Sequence, residues 1–147
     1  MAVYLRIKRL PYEEPDHTHL FISASNGEFA GTLDIYCSVG DIRKIGEGLT
    51  GFPATVGAEF RYENGSEAPE DRYRRYFLFR AYTVNRLGHC ALQVIMNRNE
   101  TGADDAYCRF SLPVEAAALE RLGALFRRFS ELAHFELDWS PTEGGLR

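Results

Sequence analysis

Residues 106–132 read AYCRFSLPVEAAALERLGALFRRFSEL, and a change of period inside this stretch decides the fold class. Over residues 106–112 the chain alternates around Cys108 and Phe110, as a half-buried strand does. From Leu119 the apolar residues recur as Leu122, Leu125 with Phe126, Phe129 and Leu132, the three-and-four spacing of one helix face. Pro113 is expected near the start of that helix, where its missing amide does little harm. Immediately upstream, residues 89–96 alternate around Leu92 and Val94, and residues 72–84 form a strand-like run rich in tyrosine and arginine. Three strands therefore feed directly into one amphipathic helix with no catalytic motif between them, which is the pattern of a scaffold.

Further toward the N-terminus, Val3, Leu5 and Ile7 alternate with Tyr4, Arg6 and Lys8, so a strand is expected over residues 3–10, stopping near Pro11. A polar loop over residues 12–17 leads to a second strand carrying Leu20, Ile22 and Ala24. Asn26-Gly27 then supplies a strong hairpin signal before a third strand over residues 32–37. Ser38 is placed to cap a helix whose apolar stripe is Val39, Ile42, Ile45, Leu49 and Phe52 and which Gly51 and Pro53 terminate. Gly46 and Gly48 weaken that helix by roughly 1 kcal/mol each relative to alanine, so its stripe must be held by tertiary packing. A fourth strand is expected over residues 55–62, and residues 63–71 form an acidic loop.

The expected order is β-β-β-α-β-β-β-β-α. It implies an α+β domain with an antiparallel sheet of about seven strands and both helices packed on one face. The 147 residues are one domain's worth, and 45% apolar with 26% charged residues is ordinary for a globular chain that buries a sizeable core. Trp139, in the alternating run from Phe135, can tuck the chain back onto the fold, with residues 140–147 a candidate flexible tail. The start alternates where a signal peptide would carry a continuous apolar run. No stretch approaches the roughly 18 apolar residues of a membrane span, so a cytoplasmic protein without a membrane partner is expected. Cys37, Cys90 and Cys108 are odd in number and lack C-x-x-C spacing, which fits a reducing compartment and core packing better than a disulfide framework or zinc site.

If the apolar sides of the strands face the helices, the opposite side displays Phe21, Asp34, Tyr36, Glu59, Arg61, Arg74, Tyr76, Arg80, Tyr82, Gln93, Tyr107 and Arg109. Tyrosine and arginine suit recognition because each offers a large contact area with a polar end. Arg74, Tyr76, Arg80, Tyr82, Tyr36, Tyr107 and Arg109 are accordingly the candidate partner-binding residues. The plain alternative is that cross-strand tyrosine and arginine pairs simply solvate a sheet face. The run Arg72-Tyr73-Arg74-Arg75-Tyr76 could also contact nucleic acid, but the acidic loop before it and a formal charge of −4 oppose that.

His17 and His19 are the metal candidates, two nitrogens with no third ligand identified beside them; a solvated loop is the plainer reading, and no metal or other cofactor is expected. The sequence carries no P-loop, dinucleotide glycine turn, G-x-S-x-G or H-E-x-x-H, so no catalytic residue is assigned and a non-enzymatic role is expected. Glu63, Glu67, Glu70 and Asp71 would supply negative charge toward a basic partner.

The segments SVGDIRKIGEGLTGFP, GHCALQVIMNRN and SLPVEAAALERLGALFRRFSEL, with the order of elements between them, resemble a group of small bacterial domains that includes the WapI-type immunity proteins. The resemblance spans roughly residues 20–132 and is carried by apolar pattern and turns. It implies a bacterial protein that binds and neutralises a toxin domain, and no individual site residue follows from it. The competing expectations are a small-ligand-binding module and a self-associating structural subunit, a homo-oligomer.

Overall fold

The computed structural model describes residues 2–71 and 74–147. Among the described residues the strands are β1 (Val3–Leu10), β2 (Thr18–Asn26), β3 (Ala30–Cys37), β4 (Glu59–Asn64), β5 (Tyr76–Thr83), β6 (Cys90–Asn97), β7 (Tyr107–Val114), β8 (Glu136–Trp139) and β9 (Gly144–Leu146). The α-helices are α1 (Val39–Leu49) and α2 (Ala116–Phe129). The chain is α+β and its strand pairs are antiparallel.

The strands divide into two sheets, β3-β2-β1-β8-β9 and β4-β5-β6-β7, which corrects the expected single sheet of about seven strands and the expected element order. Two causes are visible. The short C-terminal strands β8 and β9 return to the open edge of β1, where Leu5 pairs with Trp139 and Ile7 with Leu137. On the other side β3 cannot pair with β4, because it runs across the end of the second sheet. Along β3, the Tyr36 carbonyl accepts from Asn64 at 2.8 Å and Asp34 meets Arg75 at 3.4 Å. Farther along, Gly31 lies so close to Cys108 and Met96 that a Cβ there would sit 2.6 Å from the Cys108 sulfur. These contacts follow the beginnings and ends of β4, β5, β6 and β7 in turn, the signature of two sheets meeting at a corner.

One apolar core lies between the inner faces of both sheets and both helices, and includes Ile7, Ile22, Ile35, Phe79, Leu92, Leu122 and Trp139. Most of each predicted stripe is buried, Ile42, Ile45 and Leu49 from α1 and Leu119, Leu122, Leu125, Phe126 and Phe129 from α2. Leu132, expected on the same helix face, instead lies past the end of α2 with φ 59°, and Phe52 lies past the end of α1. Ser38 caps α1 in a reciprocal capping box with Asp41, worth about 1 kcal/mol. Pro113, expected at the start of α2, instead sits in β7 opposite Ala91. β7 is an edge strand, so the ladder tolerates a residue without an amide donor.

The helix glycines are explained by close approach. A Cβ on Gly46 would stand 2.8 Å from the Arg127 amide nitrogen and 2.9 Å from the Gly123 carbonyl oxygen, and one on Gly123 would stand 2.9 Å from the Gly46 carbonyl oxygen. The helices cross backbone to backbone, and the conformational cost of glycine is offset by the packing it permits. They run antiparallel, since Gly46 meets Arg127 while Gly51, past the end of α1, bonds Glu120 near the start of α2.

The C-terminal segment is held by both packing and polar contacts. Trp139 is buried and donates from Nε1 to the Ala118 carbonyl at 3.0 Å. The Arg147 amide donates to the Glu136 carbonyl at 2.9 Å. Arg9, of the same parity as Leu5 and Ile7, is buried. Its guanidinium donates to Glu14 and to the carbonyls of Leu132 and His134, and lies 4.5 Å from the Phe135 ring centroid. An inward-facing arginine is tolerated only with such partners, and here it ties β1 to the turn between α2 and β8. No helix among the described residues is long and apolar enough to cross a membrane.

Candidate interaction surface

The register of the four-stranded sheet places Glu59, Arg61 and Glu63 of β4, Tyr76, Leu78, Arg80 and Tyr82 of β5, Gln93 and Ile95 of β6, and Tyr107, Arg109 and Ser111 of β7 on one side, facing away from the core. Six of the seven candidate binding residues, Arg74, Tyr76, Arg80, Tyr82, Tyr107 and Arg109, belong to this sheet or its immediate approach. Tyr36 lies on β3 of the other sheet, 46% exposed. Arg72 and Tyr73 of the arginine-tyrosine run fall outside the described residues, and Arg74 is exposed.

At the centre of this face a polar network crosses all four strands. Arg80 donates from Nε to Gln93 at 2.9 Å and from Nη1 to Glu59 at 2.8 Å, and its guanidinium carbon lies 4.1 Å from the centroid of the Tyr82 ring. The Tyr82 hydroxyl is 3.0 Å from that of Ser111. Arg80 and Tyr82 are both half-buried, so their geometry is fixed while part of each remains open to solvent. Tyr107, 52% exposed, and Arg109, also exposed, flank them on the β7 edge.

The other half of the face is covered. Tyr76, Leu78 and Ile95 are buried there, as a second apolar cluster separate from the main core. The loop after β4 lies against this end of the sheet: Glu67 accepts from Asn97 at 2.7 Å and the Ser66 carbonyl accepts from Asn99 at 2.9 Å. Tyr76 therefore contributes to packing, and its hydroxyl donates to Glu63 at 2.9 Å. Burial and the Glu63 charge push the Tyr76 hydroxyl up to about 12, while hydrogen bonds from Arg61 and Tyr76 hold the Glu63 carboxyl below its ordinary value.

A second cluster stands at the corner between the sheets. His19, expected in a loop, lies in β2, while His17 is exposed before it. The His19 ring stacks on Tyr36 with centroids 4.1 Å apart, and its Nε2 is 2.9 Å from Asp34. Arg75 bridges from Asp34 to Glu100 at 3.2 Å and to the Arg98 carbonyl at 3.2 Å. Partial burial raises the Asp34 pKa, but the hydrogen bond with His19 and the positive charge of Arg75 outweigh it, leaving the carboxyl below its usual range. The two histidines do not converge, and no group of three or more histidine, cysteine or acidic side chains among the described residues is placed to hold a metal.

From sequence, Arg75 figured only in the run that could contact nucleic acid, not at this corner. Its position before β5 gives no sign that it spans two sheets, because the corner is a tertiary feature. His19 was more legible: it continues the alternation of Phe21 and Ser23, which extends the strand backward past Leu20.

The three thiols offer no activated nucleophile. Burial pushes Cys37 up to about 11 and raises Cys90 and Cys108 as well. A void of about 10 Å³ in the core, lined by apolar groups including Ile7, Ile22, Phe77 and Phe126, has room for one water at most. A shallow groove of about 1030 Å³ runs along β1, β8 and β9. Its charged groups pair with one another, Arg6 with Asp138 at 3.6 Å and Lys8 with Glu136 at 3.8 Å. No protein family, curated protein or solved structure matches the chain.

Proposed function

We propose that this chain is a non-enzymatic protein-binding domain whose partner docks on the uncovered half of the outer face of the four-stranded sheet, with Arg80 and Tyr82 at the centre of the contact. The observation that carries this reading is the network from Glu59 through Arg80 and Tyr82 to Ser111, which holds a stacked arginine and tyrosine in one geometry on an otherwise open surface. A contact made with groups already ordered loses less side-chain entropy on binding. The resemblance to the WapI-type immunity group supplies the partner class: a toxin domain neutralised in the bacterial cytoplasm. The acidic residues Glu70 and Asp71, exposed in the loop that covers the other half of the face, would meet basic groups on such a partner.

The test is affinity capture from the native cell with the tagged chain, followed by the same capture with Arg80→Ala and Tyr82→Ala. The expected result is a stoichiometric protein prey that both variants lose, with the melting temperature of each variant within a few degrees of the parent. Prey retained by both variants at full yield would move the interface elsewhere. A variant that fails to fold would make these side chains structural instead.

A further inference from the structure

The solvent side of the helix pair carries a charge pattern that neither the fold nor the sheet-face reading uses. Arg43 and Lys44 of α1 and Arg127 and Arg128 of α2 are all exposed. Because the helices are antiparallel and Gly46 touches Arg127, the residues one turn before Gly46 lie at the same end of the pair as the last turn of α2. Four exposed cations from two elements thus lie toward one end of the helix pair. None of them makes an ion pair among the described residues; the same is true of Arg74, Arg86, Arg98, Arg109 and Arg121, of which Arg121 alone lies on a helix.

Of the nearest carboxylates along the helices, Asp41 accepts from Ser38 and Tyr62, while Glu47 and Glu131 are exposed and make no ion pair among the described residues, so four cations stand against three carboxylates in a chain of formal charge −4. For Arg127 and Arg128 the end of α2 is a favourable place, since cations suit a helix C-terminus. That reason does not extend to Arg43 and Lys44, which stand in the middle of α1, outside its last turn.

We infer that this end of the helix pair is a docking surface for an acidic protein segment. The ligand class follows from what surrounds the cations. Nucleic-acid grooves interleave arginine with stacking aromatics, and α1 presents no aromatic residue while the aromatics of α2, Phe126 and Phe129, are buried. Anionic membranes are bound by basic faces bordered by apolar side chains that enter the lipid, and the large apolar side chains of both helices face the core. A carboxylate-rich chain needs neither, only guanidinium and ammonium groups spread over a firm surface. The two helices are fixed to each other by the glycine crossing, which keeps the four groups in register.

The surface is distinct from the sheet face, so the two readings stand or fall separately. The test uses the full chain and a fluorescently labelled peptide of alternating glutamate and serine, with anisotropy followed at low and at near-physiological ionic strength. Saturable binding that weakens with salt is expected. Arg43→Glu combined with Arg128→Glu should weaken it by at least about tenfold, and the milder pair Arg43→Gln with Arg128→Gln by about threefold or more. Arg80→Ala should leave it unchanged. Absence of saturable binding, or equal binding by the folded glutamine pair, overturns the inference. So does tighter binding, at the same ionic strength, of single-stranded DNA of equal charge or of phosphatidylserine vesicles.

Discussion

The outer faces of the two sheets hold their charges in opposite ways. On the five-stranded sheet, Arg6, Lys8, Glu136, Asp138 and Arg147 form a simple ladder of neighbours in solvent, and Phe21 stands beside it 38% exposed. On the four-stranded sheet, a loop lies over half the face, Leu78 and Ile95 are buried beneath the outer surface, and the remaining polar groups are linked across every strand. Period-two alternation treats these faces alike. What separates them is a loop connection: Ser66 and Glu67, after β4, bond to Asn99 and Asn97 at the end of the four-stranded sheet, whereas Arg6, Lys8 and Phe21 stay exposed on the five-stranded one. A face that is half covered can order the other half, because side chains at the boundary gain fixed neighbours.

The largest test of this difference compares Leu78→Ala with Phe21→Ala by chemical denaturation. Leu78, although on the outer side, should cost about 2–4 kcal/mol as a core leucine would, while Phe21 should cost less than about 1 kcal/mol. Equal costs would remove the distinction between the faces. Next in size is the corner. Asp34→Asn should destabilise by about 1 kcal/mol at neutral pH, since the bonds to His19 and Arg75 lose their charge assistance while solvent screens part of it.

The sign with pH follows from the lowered Asp34 value. Its contribution is fully present above the ordinary aspartate value of about 4 and is lost as pH falls through the lower folded value. The acid limb of the melting curve should therefore be shallower in Asp34→Asn than in the parent. Tyr82→Phe, which removes one hydroxyl contact from the ordered network, should cost about 0.5–1 kcal/mol. The smallest effect is expected at the ladder: Lys8→Ala should change stability by no more than about 0.5 kcal/mol, and less at high salt.

The helix stripes, the capping role of Ser38 and the outward placement of Arg80, Tyr82, Tyr107 and Arg109 were all legible from local period, because each depends on residues a few positions apart. The division into two sheets was not. Strand spacing in the sequence does not say which edges join: the alternating run at β8 gave no sign that it pairs with β1, and β9 is too short for alternation to distinguish it from a tail. The burial of Tyr76 escaped for a related reason, since the loop that covers it acts across the sheet and leaves no periodic mark. Arg9 could have been flagged: the same alternation that buried Leu5 and Ile7 pointed it inward, and an inward arginine demands a carboxylate and carbonyls nearby.

The pairing of β1 with β8 joins residues near the two ends of the chain, and this sets an order for biosynthesis. While the protein emerges from the ribosome, β4 to β7 are contiguous hairpins that can assemble as soon as they appear. β1 must wait with one edge unpaired until β8 is made. From the appearance of β1 until β8 is made, the nascent chain thus displays a sticky strand edge, and the buried Arg9 beside it has its Leu132 and His134 acceptors only once that later segment arrives. A ribosome stalled shortly before β8 would hold a chain whose four-stranded sheet can form but whose five-stranded sheet is still open to capture by other strands.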